Sequence, residues 1–206
     1  VTWTVTDGAG NTTTATQVVT VVDNIFPTIT APAAVSVNVD AGTCATALAN
    51  VTLGTPTTGD NCSVASTTND APTSFPLGAT TVTWTVTDGA GNTTTATQVV
   101  TVVDNIFPTI TAPAAVSVNV DAGTCATALA NVTLGTPTTG DNCSVASTTN
   151  DAPTSFPLGA TTVTWTVTDG SGNTATSTQV VTVVDNIDPT ITAPAAVTVN
   201  VDAGAC

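Results

Sequence analysis

Apolar and polar residues alternate along several stretches of this chain. In Val82–Thr87 the two valines and Trp84 fall on one face of an extended strand, and the threonine hydroxyls fall on the other. The stretch from Val116 to Asp121 alternates in the same way. A period of two is typical of a half-buried antiparallel strand, and no stretch shows the apolar stripe of an amphipathic helix. The pattern therefore predicts an all-β fold.

Turn signals separate these alternating stretches. Clusters of Gly, Pro, Asn and Asp favour tight turns, because these residues accept or impose the backbone angles of a turn. Such clusters occupy residues 88–92, 121–123, 135–137 and 156–159. Their spacing predicts six or seven short strands in each structural unit.

The chain repeats itself with a period of 81 residues. Residues 1–81 recur as residues 82–162 without a substitution, and a third copy opens at Val163. The third copy differs at six positions, which are Ser171, Ala175, Ser177, Asp188, Thr198 and Ala205. The chain begins within a strand-like run and stops on Cys206, the counterpart of Cys44 and Cys125. We therefore expect it to be an excerpt of a longer array of repeats.

The composition excludes several classes of function. The chain has no Lys, Arg or His, and its net charge is -14. A nucleic-acid partner is excluded, because phosphate binding depends on Lys and Arg. No apolar run approaches the roughly 18 residues that a membrane span needs. Without His, Lys, Arg, Tyr or Glu the usual acid–base groups are missing, so we expect no enzyme.

An ordered set of motifs in each repeat resembles the hyalin repeat, or HYR domain. The motifs are Asp60-Asn61-Cys62, Asn69-Asp70-Ala71-Pro72, Phe75-Pro76-Leu77-Gly78, Val82-Thr83-Trp84 and Asp88-Gly89-Ala90-Gly91-Asn92. The resemblance implies tandem immunoglobulin-like β-sandwiches in an extracellular, adhesion-related protein. Long arrays rich in Thr, Val and Asp are similar to giant cell-surface adhesins of Bacteroidetes, including those that drive gliding motility. The chain lacks a cysteine near the domain start and another in the last strand, so one of the family's two usual disulfides should be absent.

The repeat period divides the chain into four segments. We predict complete repeats at residues 24–104 and 105–185, the C-terminal strands of a truncated repeat at 1–23, and the N-terminal part of another at 186–206. The repeats are expected to join end to end as a rod or filament. Each is short for a domain and has a modest core, so an additional constraint would stabilise it. Trp3, Trp84 and Trp165 are each the large aromatic residue expected in the core of their repeat, because valines flank them at two-residue spacing.

Each full repeat carries two cysteines, Cys44 with Cys62 and Cys125 with Cys143, and the partner of Cys206 would lie outside the chain. With no His and no C-x-x-C motif, disulfides are favoured over a metal site. Pairing within the repeat would stabilise it by roughly 3 kcal/mol. An alternative stays open: if Cys44 begins one long strand, the two cysteines lie near opposite ends of the sandwich. Cys44 would then pair with Cys143 of the next repeat or with a neighbouring chain.

Acidic residues suggest a calcium site at the junction between repeats. In a seven-strand sandwich one pole gathers the incoming linker, the loop between the second and third strands and the last hairpin turn. For the second complete repeat these carry Asp104 with Asn105, Asp141 with Asn142, and Asp169 with Asn173. Calcium prefers six to eight oxygen ligands of this kind. The alternative is that Asp88–Asn92 and its copies are ordinary glycine-rich hairpin turns that hold no ion.

Two functions are compatible with such an array. The first is a structural stalk or filament that extends an adhesive or motility tip away from the cell surface. The second is a multivalent module that binds a glycan or protein through each repeat. One Trp per repeat, expected in the core, and no Tyr leave few aromatic platforms for recognition, which favours the stalk. The expected partners are neighbouring repeats of the same chain and, laterally, other copies of it.

Overall fold

The computed structural model describes residues 1–201, 203 and 204 of the chain. It divides into two units, Val1–Ile106 and Phe107–Cys206, which are described separately below. The described residues form only strands, turns and two single-turn 3-10 helices, which confirms the predicted all-β class. None of the helices in this described part is long and apolar enough to cross a membrane.

The first unit contains ten strands and one 3-10 helix. The strands are β1 (Thr2–Thr6), β2 (Thr12–Thr16), β3 (Thr28–Thr30), β4 (Val35–Asn38), β5 (Ala45–Ala47), β6 (Thr57–Gly59), β7 (Val64–Asn69), β8 (Ser74–Pro76), β9 (Gly78–Asp88) and β10 (Thr93–Val103), and the 3-10 helix is Leu48–Asn50. The hairpin β1–β2 precedes residue 24, so eight strands, β3 to β10, lie in the first complete repeat.

The second unit contains eight strands and one 3-10 helix in the same order. The strands are β11 (Thr109–Thr111), β12 (Val116–Asn119), β13 (Ala126–Ala128), β14 (Thr138–Gly140), β15 (Val145–Asn150), β16 (Ser155–Pro157), β17 (Gly159–Asp169) and β18 (Thr174–Val184), and the 3-10 helix is Leu129–Asn131.

Each complete repeat is a two-layered sandwich. In the first, one layer is a four-stranded sheet in the order β4-β10-β9-β7, with β4 parallel to β10 and the other pairs antiparallel. The short ladders β3–β6 and β5–β8 form the second layer, since Ile29 and Phe75 pack against Val82 and Val100 of the sheet. The second repeat has the equivalent sheet β12-β18-β17-β15 and the ladders β11–β14 and β13–β16.

The expected strand number of six or seven was too low. The two ladders of the second layer are only three residues long on each side. Prolines flank or occupy them, and a three-residue strand is too short for a period of two to be recognised in the sequence.

The core contains two large aromatic side chains per repeat instead of the single Trp that was expected. Val82, Trp84 and Val86 of β9 are buried, as the alternation predicted, and Val100 of β10 joins them. Phe75 of β8 is completely buried, and so is its counterpart Phe156. Phe75 lies in a Pro-containing turn motif, where the sequence offers no alternation to indicate which way it points.

The expectation that Trp3 is a core residue is wrong for this structure, since Trp3 is 63% exposed, whereas Trp84 and Trp165 are 6% exposed. The residues that cover Trp84, such as Val51 and Phe75, have no counterparts within residues 1–23. At the other end of the chain, residues 186–201 contain no strand. The partners that β11 and β12 have in the complete repeat, β14 and β18, have no counterparts after residue 185.

The two long strands β9 and β10 connect the two ends of the sandwich. Each has eleven residues, which corresponds to about 35 Å at ~3.3 Å per residue. We call the end that contains Asp88 and the incoming Asp23 the N-terminal pole. The end that contains Gly78 and Val103 is the C-terminal pole, because the chain leaves the repeat there.

Candidate functional sites at the two poles

Three carboxylates meet at the N-terminal pole of the first complete repeat. Asp23 precedes the repeat, Asp60 follows β6 and Asp88 ends β9, and one oxygen of each lies within 4.8 Å of the others. The chain contains no Lys, Arg or His that could balance these charges. Hard oxygen ligands in such a group are the donor set that calcium prefers.

Backbone turns hold two of these carboxylates in place. Asp88 Oδ1 accepts hydrogen bonds from the N–H groups of Ala90 and Asn92 at 2.9 and 2.8 Å. Burial raises the pKa of Asp88, but the hydrogen bonds from this turn, chiefly from Asn92, outweigh it and hold the pKa below its ordinary value. Asp60 Oδ2 accepts from the N–H groups of Cys62 and Ser63 at 2.9 Å. Its other oxygen, Oδ1, is buried and accepts no hydrogen bond.

Asn92 also connects the turn to the incoming linker. Its side-chain amide donates to Asp88 Oδ2 at 2.7 Å and to the backbone carbonyls of Asp23 and Ile25 at 3.3 Å. Thus one turn closes the β9–β10 hairpin and hydrogen-bonds the linker. The sequence predicted a turn at Asn92 and placed its counterpart Asn173 in the candidate calcium group. The hydrogen bonds to the linker join residues nearly 70 positions apart, which no local motif indicates.

The residues predicted to bind calcium in the second repeat occupy the same sequence positions as Asp23, Asp60 and Asp88. Asp141 accepts from the N–H groups of Cys143 and Ser144 at 2.9 Å, and its Oδ1 is buried without a hydrogen bond. Asp169 accepts hydrogen bonds from the backbone N–H groups of Ser171 and Asn173 in the turn that follows β17, and the Asn173 side-chain amide also donates to it at 2.8 Å. Asp104 follows β10 at the end of the first unit, and Asn105 beside it is exposed. Calcium binding by these residues stays a prediction.

The cysteines do not pair as expected. Cys44 and Cys143 are disulfide-bonded, whereas Cys62 and Cys125 carry free thiols. The expected pairs Cys44 with Cys62 and Cys125 with Cys143 are therefore absent. Cys206 lies outside the described residues.

Distance explains why the two cysteines of one repeat do not pair. The carbonyl of Cys44 accepts a hydrogen bond from Leu77 at the start of β9, and Ser63, next to Cys62, is bonded to Gly89 just past its end. The two cysteines thus lie at opposite poles, roughly 35 Å apart along β9. A disulfide requires Cα atoms within about 7 Å of each other. The second repeat has the same arrangement, because the backbone N–H of Leu158 donates a hydrogen bond to the carbonyl of Cys125 and that of Gly170 donates to the carbonyl of Ser144.

The free thiol of Cys62 lies in a negative environment. The pKa of the thiol is raised first by a hydrogen bond to Asp23 and by the negative charge of Asp23. Burial and the charges of Asp60 and Asp88 raise it further. The Asn61 amide lies 3.3 Å from the sulfur. Because the thiolate is the reactive form, this environment disfavours reaction of the Cys62 thiol.

Another aspartate, Asp40, holds the backbone together at the C-terminal pole. Asp40 accepts hydrogen bonds from the backbone N–H of Ala47, the Asn50 amide and the buried Thr46 hydroxyl, at 2.8 to 3.0 Å. These bonds, that of Ala47 first, lower the pKa of Asp40. Asp121 has the same contacts in the second repeat. The sequence predicted only a turn there, although an Asp followed by Thr six and Asn ten residues later is a pattern that could have indicated the network.

Comparisons with solved structures found cadherin-type proteins at low similarity. The chain is similar to Drosophila N-cadherin EC1-4 (10% identity, 77% of this chain and 49% of that chain, TM-score 0.40). It is similar to human protocadherin-24 EC1-2 (11%, 80% and 100%, TM-score 0.40) and to mouse cadherin-23 EC22-24 (14%, 80% and 66%, TM-score 0.35). The chain spans about half the length of the N-cadherin fragment. The comparison with curated proteins gave no match.

A family profile gives the assignment that these distant structures do not. The profile of the HYR domain matches residues 22–102 and 103–183, which is most of the chain and two consecutive copies. The matched segments have the 81-residue period of the sequence and contain both sandwiches of the structure. The chain therefore belongs to the HYR domain family, as a tandem array of its repeats.

Proposed function

We propose that this chain is a stalk segment of a large extracellular adhesin, in which HYR repeats follow one another end to end and carry an adhesive tip away from the cell surface. One observation supports this proposal above others. The chain arrives at the N-terminal pole of the repeat, at Asp23, and leaves from the C-terminal pole after Val103. When the chain enters a repeat at one pole and leaves it at the other, each repeat adds its long dimension, about 35 Å, to the length of the array.

The alternative, a binding array, has less support. Recognition surfaces usually rely on exposed aromatic residues. In the complete repeats Trp84 and Phe75 are buried, as are their counterparts Trp165 and Phe156, so the one exposed aromatic residue of each repeat is a Phe near its start, Phe26 or Phe107. The HYR family is one of non-enzymatic repeat modules, and this chain also lacks His, Lys, Arg, Tyr and Glu. Adhesive contacts therefore belong to other parts of the protein in this proposal.

The similarity to giant Bacteroidetes adhesins is part of the proposal. Long arrays of such repeats, rich in Thr, Val and Asp, serve there as secreted cell-surface fibres, some in gliding motility. A surface without Lys or Arg gives trypsin no cleavage site, which suits a fibre exposed outside the cell. Lateral association with other copies is compatible with this role, because edge strands without Lys are poorly protected against pairing.

A calcium ion at the N-terminal pole completes the proposal. The buried Oδ1 of Asp60 has no hydrogen-bond donor, and the carboxylates of Asp23 and Asp88 lie beside it. A divalent cation would satisfy Asp60 Oδ1 and offset the repulsion among three like charges. The equivalent residues Asp104, Asp141 and Asp169 would hold the ion of the second repeat. Such an ion would stiffen the connection of each repeat to its linker.

Small-angle X-ray scattering tests the stalk directly. The 206-residue chain and a version with one additional 81-residue copy are compared for their maximum dimension. The proposal predicts an increase of roughly 35 Å for the added copy. An increase of only a few ångströms would mean that the repeats fold back on one another, and it would contradict the stalk. In parallel, specific binding of the chain to a panel of immobilised glycans would favour the binding array.

A further inference from the structure

We propose that β4 and β10 form a mechanical clamp within each repeat, which resists unfolding when the chain is under tension. In the first complete repeat the clamp consists of Val35–Asn38 and the C-terminal part of Thr93–Val103, and β12 and β18 have the same place in the second. The proposal deepens the proposed stalk function and rests on it, because a stalk that adheres at its tip carries tension along its main chain.

The path of the chain brings tension to these two strands. The chain enters the repeat at the N-terminal pole, at Asp23, and β4 is the first strand that joins the four-stranded sheet. β10 is the last strand of the repeat, and the chain leaves it at the C-terminal pole after Val103. Tension therefore pulls β4 towards the N-terminal pole and β10 towards the C-terminal pole.

The two strands are parallel, and this orientation loads their hydrogen bonds in shear. Four consecutive residues of each strand are paired, beginning with Val35 opposite Val100. Hydrogen bonds between strands cross from one strand to the other, so opposite forces along the two strands load all bonds of the ladder together. When a ladder is pulled apart from one end, its bonds break one at a time. A ladder in shear therefore withstands a larger force than the same ladder opened from its end.

The direction of the backbone groups identifies the residues that hold the clamp. The backbone N–H of Val39 donates to the carbonyl of Val103 at 3.0 Å, so both residues turn their backbone groups into the ladder. Because backbone groups point to alternate sides along a strand, Val37 also faces β10, whereas Ser36 faces away from it. β4 is at the edge of its sheet, and Ser36 is exposed there.

Core packing adds to the resistance of the ladder. Val100 and Val102 of β10 are 0% and 1% exposed, and Val39 is 7% exposed. Val35 and Val37 are partly buried against the same core. A slip of β4 along β10 by one residue would turn its valines from the core to the solvent, because side chains alternate between the two faces of a strand. Hydrogen bonds and packing must therefore fail together.

The other ladder on the path of the tension is weaker. β3 (Thr28–Thr30) pairs with β6 (Thr57–Gly59) over three positions. Both threonines of β3 are exposed, and Ile29 is its residue that packs against the core. This ladder therefore yields before the clamp, and the clamp sets the force at which the repeat unfolds.

Single-molecule force spectroscopy on the full chain tests the clamp, because the rate of unfolding governs the response to force. The chain is held by its two ends at constant force. A reductant is present, so that no disulfide bypasses the main chain. Each unfolding repeat of 81 residues adds roughly 250 Å to the length of the extended chain. Two such steps identify molecules in which both complete repeats were folded.

A proline in each repeat removes one bond of the clamp. The variant Val103→Pro/Val184→Pro lacks the backbone N–H that faces β4 or β12, and both valine side chains are 43% exposed, so little packing is lost. We expect unfolding at a fixed force to become roughly 5- to 10-fold faster. The matched control Ser36→Pro/Ser117→Pro loses N–H groups that face solvent at the edge of the sheet and should change the rate less than about two-fold. Equal rates for the two variants would overturn the proposal.

A change of pulling points tests the geometry and leaves the clamp unaltered. One variant keeps Cys44 and gains a second attachment point by Asn105→Cys, and both points lie beyond the C-terminal ends of the two strands. The other cysteines are replaced by Cys62→Ser, Cys125→Ser, Cys143→Ser and Cys206→Ser. Tension between these points opens the clamp from its end, so we expect the first repeat to unfold at a clearly lower force than from the chain ends. An equal or larger force would overturn the proposal.

The failure of the clamp is distinguishable from the failure of the stalk. If the two proline variants unfold at equal rates while the added copy still lengthens the particle in scattering, the stalk stands and the clamp is wrong. If the force depends on the pulling points as expected but the added copy does not lengthen the particle, the repeat has the clamp and the stalk is wrong.

Discussion

Gln98 provides the sharpest prediction about stability. This side chain is 2% exposed and lies in the core of the first complete repeat. The Trp84 indole N–H donates to its Oε1 at 3.0 Å, and its Nε2 donates to the carbonyls of Ala33 and Leu53 at 2.8 Å each. The amide thus joins β9 and β10 to the loops after β3 and after the 3-10 helix. The substitution Gln98→Met keeps the length of the side chain and removes all three hydrogen bonds.

The cost follows from the groups that lose their partners. The indole N–H is in a buried bond, and its loss costs about 1–3 kcal/mol. The two carbonyls are partly buried, and each lost bond costs about 1 kcal/mol because water replaces part of it. The total is about 3–5 kcal/mol, a large share of the roughly 5–15 kcal/mol that stabilises a typical domain. At about 4–8 °C per kcal/mol, the repeat should melt at least ~12 °C lower.

Differential scanning calorimetry measures this effect with internal controls. Gln179 makes the same three bonds in the second repeat, so the variant should show one displaced transition and one near its original temperature. The matched variant Gln17→Met removes an exposed bond to Trp3 and should change stability by less than about 0.5 kcal/mol. If Gln98→Met lowers the melting temperature no more than Gln17→Met does, the three hydrogen bonds of Gln98 do not stabilise the core.

Three further predictions concern the poles. The pKa values of Asp40 and Asp88 are lowered from 3.8 in the folded chain, so the stabilisation that these carboxylates give is complete above that pH and is lost as the pH falls through the lower folded pKa. Urea unfolding at pH 7, 4 and 2.5 should therefore show a loss of stability that is confined to the acid range. Equal stability at all three pH values would contradict this prediction. Asp40→Ala should lower the melting temperature of the first repeat more than the exposed substitution Asp188→Ala lowers any transition, because three hydrogen bonds are lost. Millimolar calcium should raise the melting temperature relative to EDTA, and Asp60→Asn should diminish the increase; melting indifferent to EDTA would contradict calcium binding and leave the linker held by hydrogen bonds such as those of Asn92 and Asn61.

The sequence determined the fold class and the orientation of β9 well. Alternation in Val82–Thr87 predicted which side chains are buried, because a strand with one covered face has a period of two. The motif at Phe75 gave no such signal, since a three-residue strand next to Pro has no measurable period. One of the two aromatic residues in each core therefore could not be predicted from the pattern.

The sites were harder to predict than the fold, because they depend on contacts between distant positions. Gln98 meets Ala33 and Leu53 across 65 and 45 residues, and nothing local distinguishes it from an exposed glutamine such as Gln17. The acidic cluster was predicted at the pole, since each Asp belongs to a recognisable linker, loop or turn. Predicting which cysteines can pair required the length of β9, because that length places Cys44 and Cys62 at opposite poles.

The proposed stalk depends most on this separation of the two poles, and a distance measurement within one repeat tests the separation most directly. In the variant Cys125→Ser/Cys143→Ser/Cys206→Ser, nitroxide labels are attached to Cys44 and Cys62, and the distance between them is measured by double electron–electron resonance. The account predicts a narrow distribution at roughly 30–45 Å, including the arms of the labels. A distribution centred below about 20 Å would mean that the chain doubles back within the repeat and would contradict the pole-to-pole path on which the proposed stalk depends.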